Sequence, residues 1–135
     1  MPGDNAKKAL IDSLNGLLAD YFTLYLKTKN FHWHVSGPHF RDLHLLFDEQ
    51  SAEIFALTDI IAERVRKNGG ATLTSIGAIA GKASIKDDDR AKVDAMNMVK
   101  ALRDDNAKLV EAIRGVKEAA TEAGDNATEG MADDW

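Results

Sequence analysis

Two pairs of side chains in this sequence have the types and spacing to bind a metal ion. His44 and Asp48 stand four residues apart, and so do Asp59 and Glu63. On a helix, residues at that spacing are neighbours and can share a ligand. Imidazole combined with carboxylate suits divalent iron, manganese or zinc. Each helical residue advances ~100°, which places all four on one face, roughly 100–200° from the apolar stripe that begins at Leu43. Ser51, Ala52, Phe55 and Ala62 share that face, small or apolar where a solvated surface would carry Lys and Glu. The two pairs lie ~22 Å apart along a helix, too far to close on one ion. Two copies of the helix laid antiparallel about a two-fold, crossing near residues 53–54, would bring His44 and Asp48 of one to Asp59 and Glu63 of the other. Two equivalent sites ~22 Å apart would result. Such pairs also occur on solvated helices, where they bind nothing.

The elements that must hold these residues are helical. The chain has 135 residues, enough for a real core, and 44% of them are apolar. Gly and Pro are sparse, at 10 and 2, which favours helices. Cysteine is absent, excluding disulfides and thiolate metal sites and suiting a reducing cytosol. No stretch approaches the length of a membrane span or signal peptide. A net charge of −5 repels phosphate backbones on average.

Leu10, Leu14, Leu17, Leu18, Tyr21 and Tyr25 mark a helix over residues 5–34. Ser36-Gly37-Pro38 ends it, with Ser36 the expected N-cap region of the next helix. That second helix runs to about Lys67 and stops at Gly69-Gly70, its core stripe being Leu43, Phe47, Gln50, Ile54, Leu57, Ile61 and Val65. A connector rich in Gly and Thr follows, with room for a short helix over residues 76–81. A third long helix is expected to begin at "DDDRAK", where three aspartates suit a helix N-terminus, and to end near Gly124. Val93, Met96, Val99, Leu102, Leu109, Ile113 and Val116 are its expected core. A fourth helix capped by Asp125 or Asn126 has barely three turns of sequence left. The sum is an all-α antiparallel bundle, one domain over residues 1–135, with a crossover between the second and third long helices and a fourth helix cut short.

Three of the four histidines crowd into "FHWHVSGPHF", residues 31–40. Taken alone, His32 reads as a helix-end histidine, Trp33 as core, and His34 and His39 as polar turn residues.

Taken together, "KTKNFHWHVSGPHFRDLHLLFDEQ" and "TDIIAERVRKNGG" closely resemble the Dps proteins, the mini-ferritins of starved bacterial cells. The match covers most of the chain, including the short connector helix and the "GDNAT" entry to the last helix. The combination of N-F-H-W, G-P-x-F, L-H-x-x-F-D and D-x-x-A-E-R is specific.

The resemblance implies a ferritin-like four-helix bundle assembled as a hollow, tetrahedral homododecamer built from two-fold dimers. It implies a ferroxidase centre between two subunits, with iron at two sites per dimer. One subunit would supply His32, His44 and Asp48, and the other Asp59 and Glu63. Trp33 would stand beside the centre and quench reactive oxygen intermediates. Two Fe(II) would each give one electron to hydrogen peroxide without releasing hydroxyl radical. Ferric ion would then hydrolyse to an oxyhydroxide store inside the shell, in the cytoplasm. Glu122, Asp125 and Glu129 match the region around the family's three-fold axis and are candidates for an iron entry pore.

The chain departs from the family in two places. Many members carry a Lys-rich tail that binds DNA, whereas "MPGDNAKKAL" offers Lys7 and Lys8 against Asp4, and residues 118–135 hold acids and no bases. Direct DNA binding is therefore doubtful. The family also continues well beyond the position of Trp135. Rival readings are a DNA-compacting or structural shell without ferroxidase activity, and a bundle holding a static Zn(II) ion.

Overall fold

A computed structural model describes residues 2–135. Five helices follow one another, α1 (Pro2–His34), α2 (Phe40–Lys67), α3 (Ile76–Lys82), α4 (Ala95–Ala123) and α5 (Asn126–Ala132), and no strand occurs among the described residues. α1 is the central element and packs on both α2 and α4. Leu10, Leu14, Leu17, Leu18, Tyr21, Leu24 and Phe31 recur every three or four residues along it and are fully or almost fully buried.

The turn into α2 is made by backbone. The amide of Val35 donates to the Phe31 carbonyl at 2.9 Å, and that of Phe40 to the Gly37 carbonyl at 3.1 Å. Gly37 has φ 103°, a left-handed conformation that a residue without Cβ adopts at no steric cost. His39, not Ser36, occupies the N-cap position, and no side chain caps the helix there. The expected Ser36 cap is thus replaced by the glycine turn.

The faces of α2 divide its apolar residues. Phe47, Ser51, Thr58, Ile61 and Val65 are buried. Gln50, Ile54 and Leu57 are half-buried and, with Leu46 and Glu53, line grooves shared with α4 residues Val99, Asn106, Val110 and Ile113. Trp135 sits at one end of this furrow. α2 ends as expected, with Gly69 at φ 83° and the Gly70 amide bonded to the Val65 carbonyl at 3.0 Å.

α3 falls where the sequence places it, with Ser75 accepting from the Ala78 amide at 3.1 Å as N-cap. α4 does not. It begins at Ala95, after the aspartate run rather than on it. Asp88 folds back on Arg90, accepting from its amide at 3.0 Å and from its guanidinium at 3.0 and 2.7 Å. Asn30 of α1 donates to the carbonyls of Asp88 and Arg90 at 3.1 and 3.2 Å, so these groups serve α1 instead of a helix. The buried stripe also differs from the expected one at its first turns. Met98, Leu102, Asp105, Leu109, Val116 and Ala120 are buried, whereas the expected Met96 and Val99 are 69% and 37% exposed.

Residues 83–90 form a strap that carries the chain across the bundle, and α1 holds it at three points. Asp20 accepts from the amides of Ser84 and Ile85 at 2.7 and 2.9 Å and from the Ser84 hydroxyl at 2.7 Å. Lys27 donates to the Lys86 carbonyl at 2.9 Å and pairs with Asp105 of α4 at 2.7 Å, both side chains buried. Asn30 makes the third attachment. Burying Lys27 and Asp105 is tolerable because each charge meets its opposite.

Candidate metal centre

The α1–α2 turn brings His32 and His44 face to face. His32 lies in the last turn of α1, where carbonyls lack intrahelical partners. His44 Nδ1–H donates to the His32 carbonyl at 2.7 Å, and His32 Nδ1–H donates to the His44 carbonyl at 2.6 Å. A carbonyl can only accept, so the proton of each neutral ring sits on Nδ1 and the lone pair on Nε2. The rings stack with centroids 3.9 Å apart and 20° between planes, and Phe40 stacks on His44 at 5.1 Å. Two imidazoles are thereby locked in the tautomer and orientation a metal ligand needs, the role that outer-shell carbonyls play around bound metals.

Asp48, one turn beyond His44, completes this cluster. Its Oδ1 lies 3.8 Å from His32 Nε2 and 2.6 Å from Lys29 Nζ. The Lys29 hydrogen bond is the main force holding the Asp48 carboxyl below the usual carboxylate range; burial opposes it, and the charge of Lys29 adds to it. Two oriented imidazole nitrogens and a carboxylate are the donor types that divalent iron, manganese or zinc takes.

The set is incomplete within one chain. Among the described residues no group of three or more His, Asp or Glu is placed to hold an ion. Asp59 and Glu63 are exposed on α2, well along the helix from His44 and Asp48. Between the two pairs the outer surface of α2 shows Ala52, Phe55, Ala56 and Ile60, with Phe55 51% exposed and backed by Tyr25 and Phe22 at 5.0 and 6.5 Å. An aromatic flanked by alanines and left half in water is surface suited to contact with another chain.

Trp33 is 58% exposed, so it is not core. It lines a shallow pocket with Leu26, Asn30, His34 and the strap residues Asp88, Asp89, Arg90 and Ala91, on the strap side of α1. His34 bonds back to Asn30, and His39 is exposed.

Of the three acids near α5, Asp125 is committed inward. It caps α5 by accepting from the Thr128 amide at 3.1 Å, and it also takes bonds from the Thr128 hydroxyl, Asn68 at 2.8 Å and Arg64 at 2.9 and 3.1 Å. Burial pushes its carboxyl up, but the bonds from Thr128, Asn68 and Arg64 outweigh that and leave it far below the usual range. Arg64 neutralises its charge and ties α2 to α5. Glu122 stays exposed and Glu129 partly so.

Sequence reasoning missed Lys29 and Phe40. Lys29 precedes His32 by three residues, a helical neighbour spacing that was available as a signal. Phe40 carried none, because its contact depends on the path of the turn.

A family profile described as a ferritin-like domain matches residues 11–135. A DNA protection during starvation protein of Brevibacillus brevis is 38% identical over 120 residues, covering 89% of this chain and 80% of that one. A low temperature-induced protein of Nostoc is 37% identical over 82% of this chain, which spans 62% of that protein's length. The crystal structure of a Vibrio cholerae Dps protein, described as a member of a broad superfamily of ferritin-like diiron-carboxylate proteins, superposes with a TM-score of 0.91 at 28% identity. It covers 96% of this chain and 81% of that one. The chain belongs to the ferritin-like family, in its Dps branch.

Proposed function

We propose that this protein is an iron-sequestering ferroxidase whose centre is shared between two chains. The observation that carries the reading is the reciprocal lock of His32 and His44, which presents two Nε2 lone pairs beside Asp48. In the proposed dimer, His32, His44 and Asp48 of one subunit meet Asp59 and Glu63 of the other across the Phe55 surface. Iron is the substrate. Two Fe(II) give one electron each to hydrogen peroxide, which takes up two protons and leaves as two waters. Oxygen-rich ligation favours hard cations such as iron, and hydrolysis draws the Fe(III) formed there on to a ferric store inside a homododecameric shell. Trp33 is proposed to intercept oxidising intermediates that escape. Glu122 and Glu129 are proposed to draw cations towards an entry pore, with Asp125 holding the backbone that carries them. DNA binding at physiological salt is expected to be weak, since a net charge of −5 opposes it.

Co-assembly of two inactive variants tests the shared centre. His44→Ala destroys one half of every site and Glu63→Ala the other half. In a mixed two-fold dimer one centre collects both damaged halves and the other is whole. Mixed dimers should recover about half of wild-type activity, and random mixtures about a quarter. An intra-chain site cannot be rescued, so activity left at the single-variant level in verified mixed dimers rules the arrangement out. Adding peroxide to anaerobic protein and Fe(II) tests the chemistry, and a hydroxyl-radical yield equal to that of free iron would rule out the protective reaction.

A further inference from the structure

The half-site already contains a cation of the protein's own. Lys29 stands one helical turn before His32 on α1, and both side chains face the same oxygen, Lys29 in hydrogen-bond contact and His32 beyond it. Lys29 Nζ is 2.6 Å from Asp48 Oδ1 and His32 Nε2 is 3.8 Å from it. The Lys29 side chain is only 23% exposed, and its ammonium bonds to no other acceptor among the described residues. A divalent ion held by His32 Nε2 and Asp48 Oδ1 at ordinary ligand distances of ~2.0–2.2 Å would sit within a few ångströms of that ammonium. Two like charges so close repel, and the better Oδ1 serves one, the less it serves the other.

We infer that Lys29 is a resident cation of the His32–His44–Asp48 half-site, displaced by an incoming divalent ion and setting how tightly the first ion binds. The inference rests on the metal-centre reading proposed above. With Lys29 in place, the carboxylate is neutralised and Asp48 stays aimed at His32. A monovalent ion gains nothing by replacing an ammonium of equal charge. A divalent ion gains the second charge and the two imidazole nitrogens, so the exchange favours it. Lys29 thus filters by charge at the expense of affinity, because ion binding must draw on the fraction of sites in which the ammonium has swung away.

An ordinary surface ion pair would behave differently. Removing such a lysine would leave Asp48 less ordered and metal binding unchanged or weaker. The test is Co(II) binding by calorimetry and visible absorption on the assembled protein, without oxidant, for wild type, Lys29→Gln, Lys29→Met and Asp48→Asn, with assembly checked by particle mass. If the displaced state holds about a tenth of the population, both Lys29 variants bind Co(II) about tenfold more tightly at unchanged stoichiometry. Two variants of different polarity guard against a packing artefact in either. Unchanged or weaker Co(II) binding in both, alongside a loss in Asp48→Asn, overturns the resident-cation role and leaves the metal centre standing. Wild-type Co(II) binding in Asp48→Asn overturns the metal centre and the role of Lys29 with it.

Discussion

His44 and Asp48, near the start of α2, are fixed by neighbours from their own chain, whereas Asp59 and Glu63, near its end, point into solvent. The first pair is gripped by the His32 ring and carbonyl, by Phe40 and by Lys29. Around the second pair the helix is anchored while its acids are left open. Arg64, next to Glu63, turns the other way and binds Asp125 and Thr128 of α5. Precision is thus placed in the side chains at one end of α2 and in the backbone at the other. That is the division expected when one end forms a rigid half-site and the other is offered to a partner.

Breaking each end should give different failures. The largest effect is on iron oxidation, which should fall more than tenfold in both His44→Ala and Glu63→Ala. Their stabilities should diverge. His44→Ala removes the bond from its ring to the His32 carbonyl and the stacking of the two rings, while the bond from His32 to the backbone carbonyl of residue 44 can persist; it should cost about 1–2 kcal/mol in chemical denaturation, while Glu63→Ala should stay within about 0.5 kcal/mol of wild type. Equal losses of stability would erase the contrast between the two ends.

Arg64→Ala tests the backbone anchor. It leaves Asp125 without its charged partner and should destabilise by about 2–4 kcal/mol. The same knot sets an acid limit. The Asp125 carboxyl is held below its ordinary value, so its contribution is complete above the unfolded value near ~4 and drains away as pH falls from there. Asp125→Asn should be less stable at neutral pH and flatter between about pH 4 and 2; an acid limb as steep as wild type would show that other carboxylates set it.

A smaller effect is expected at the α5 acids. Replacing Glu122 and Glu129 by Gln should slow iron uptake a few-fold at low salt and leave it unchanged at high salt, where screening removes the attraction. Salt-independent slowing would point to a structural defect instead. The smallest effect belongs to Phe40→Leu, which loses the stack on His44 and should cost about 0.5–1 kcal/mol, seen as a small drop in thermal midpoint with the histidine tautomers unchanged by NMR.

Much of this was legible because it is local. The three- and four-residue repeat of α1, the double glycine after α2, Ser75 before α3 and Asp125 before α5 each act on residues within a turn or two. What escaped acts at long range. Residues 87–89 read as a helix start since acids suit one, yet Asn30, some 58 residues earlier in the chain, claims the carbonyls there and delays α4 to Ala95. Met98, one turn before Leu102 and on the same face, takes the buried position assigned to Met96. The site divides in the same way. Helical spacing reveals His44 with Asp48 and Asp59 with Glu63, but the turn that folds His32 onto His44 and carries Lys29 to Asp48 is tertiary.

The strap held by Asp20 has a consequence for amide exchange. The N–H groups of Ser84 and Ile85 belong to no helix, and loop amides of that kind ordinarily exchange with solvent almost at once. Here a 4%-exposed carboxylate on α1 accepts both, and Ile85 is itself 3% exposed. These two amides should therefore exchange as slowly as the flanking helices allow, opening only when the strap lifts from α1. They are a pair of reporters, outside regular structure, for the cooperative unit that joins the two halves of the bundle.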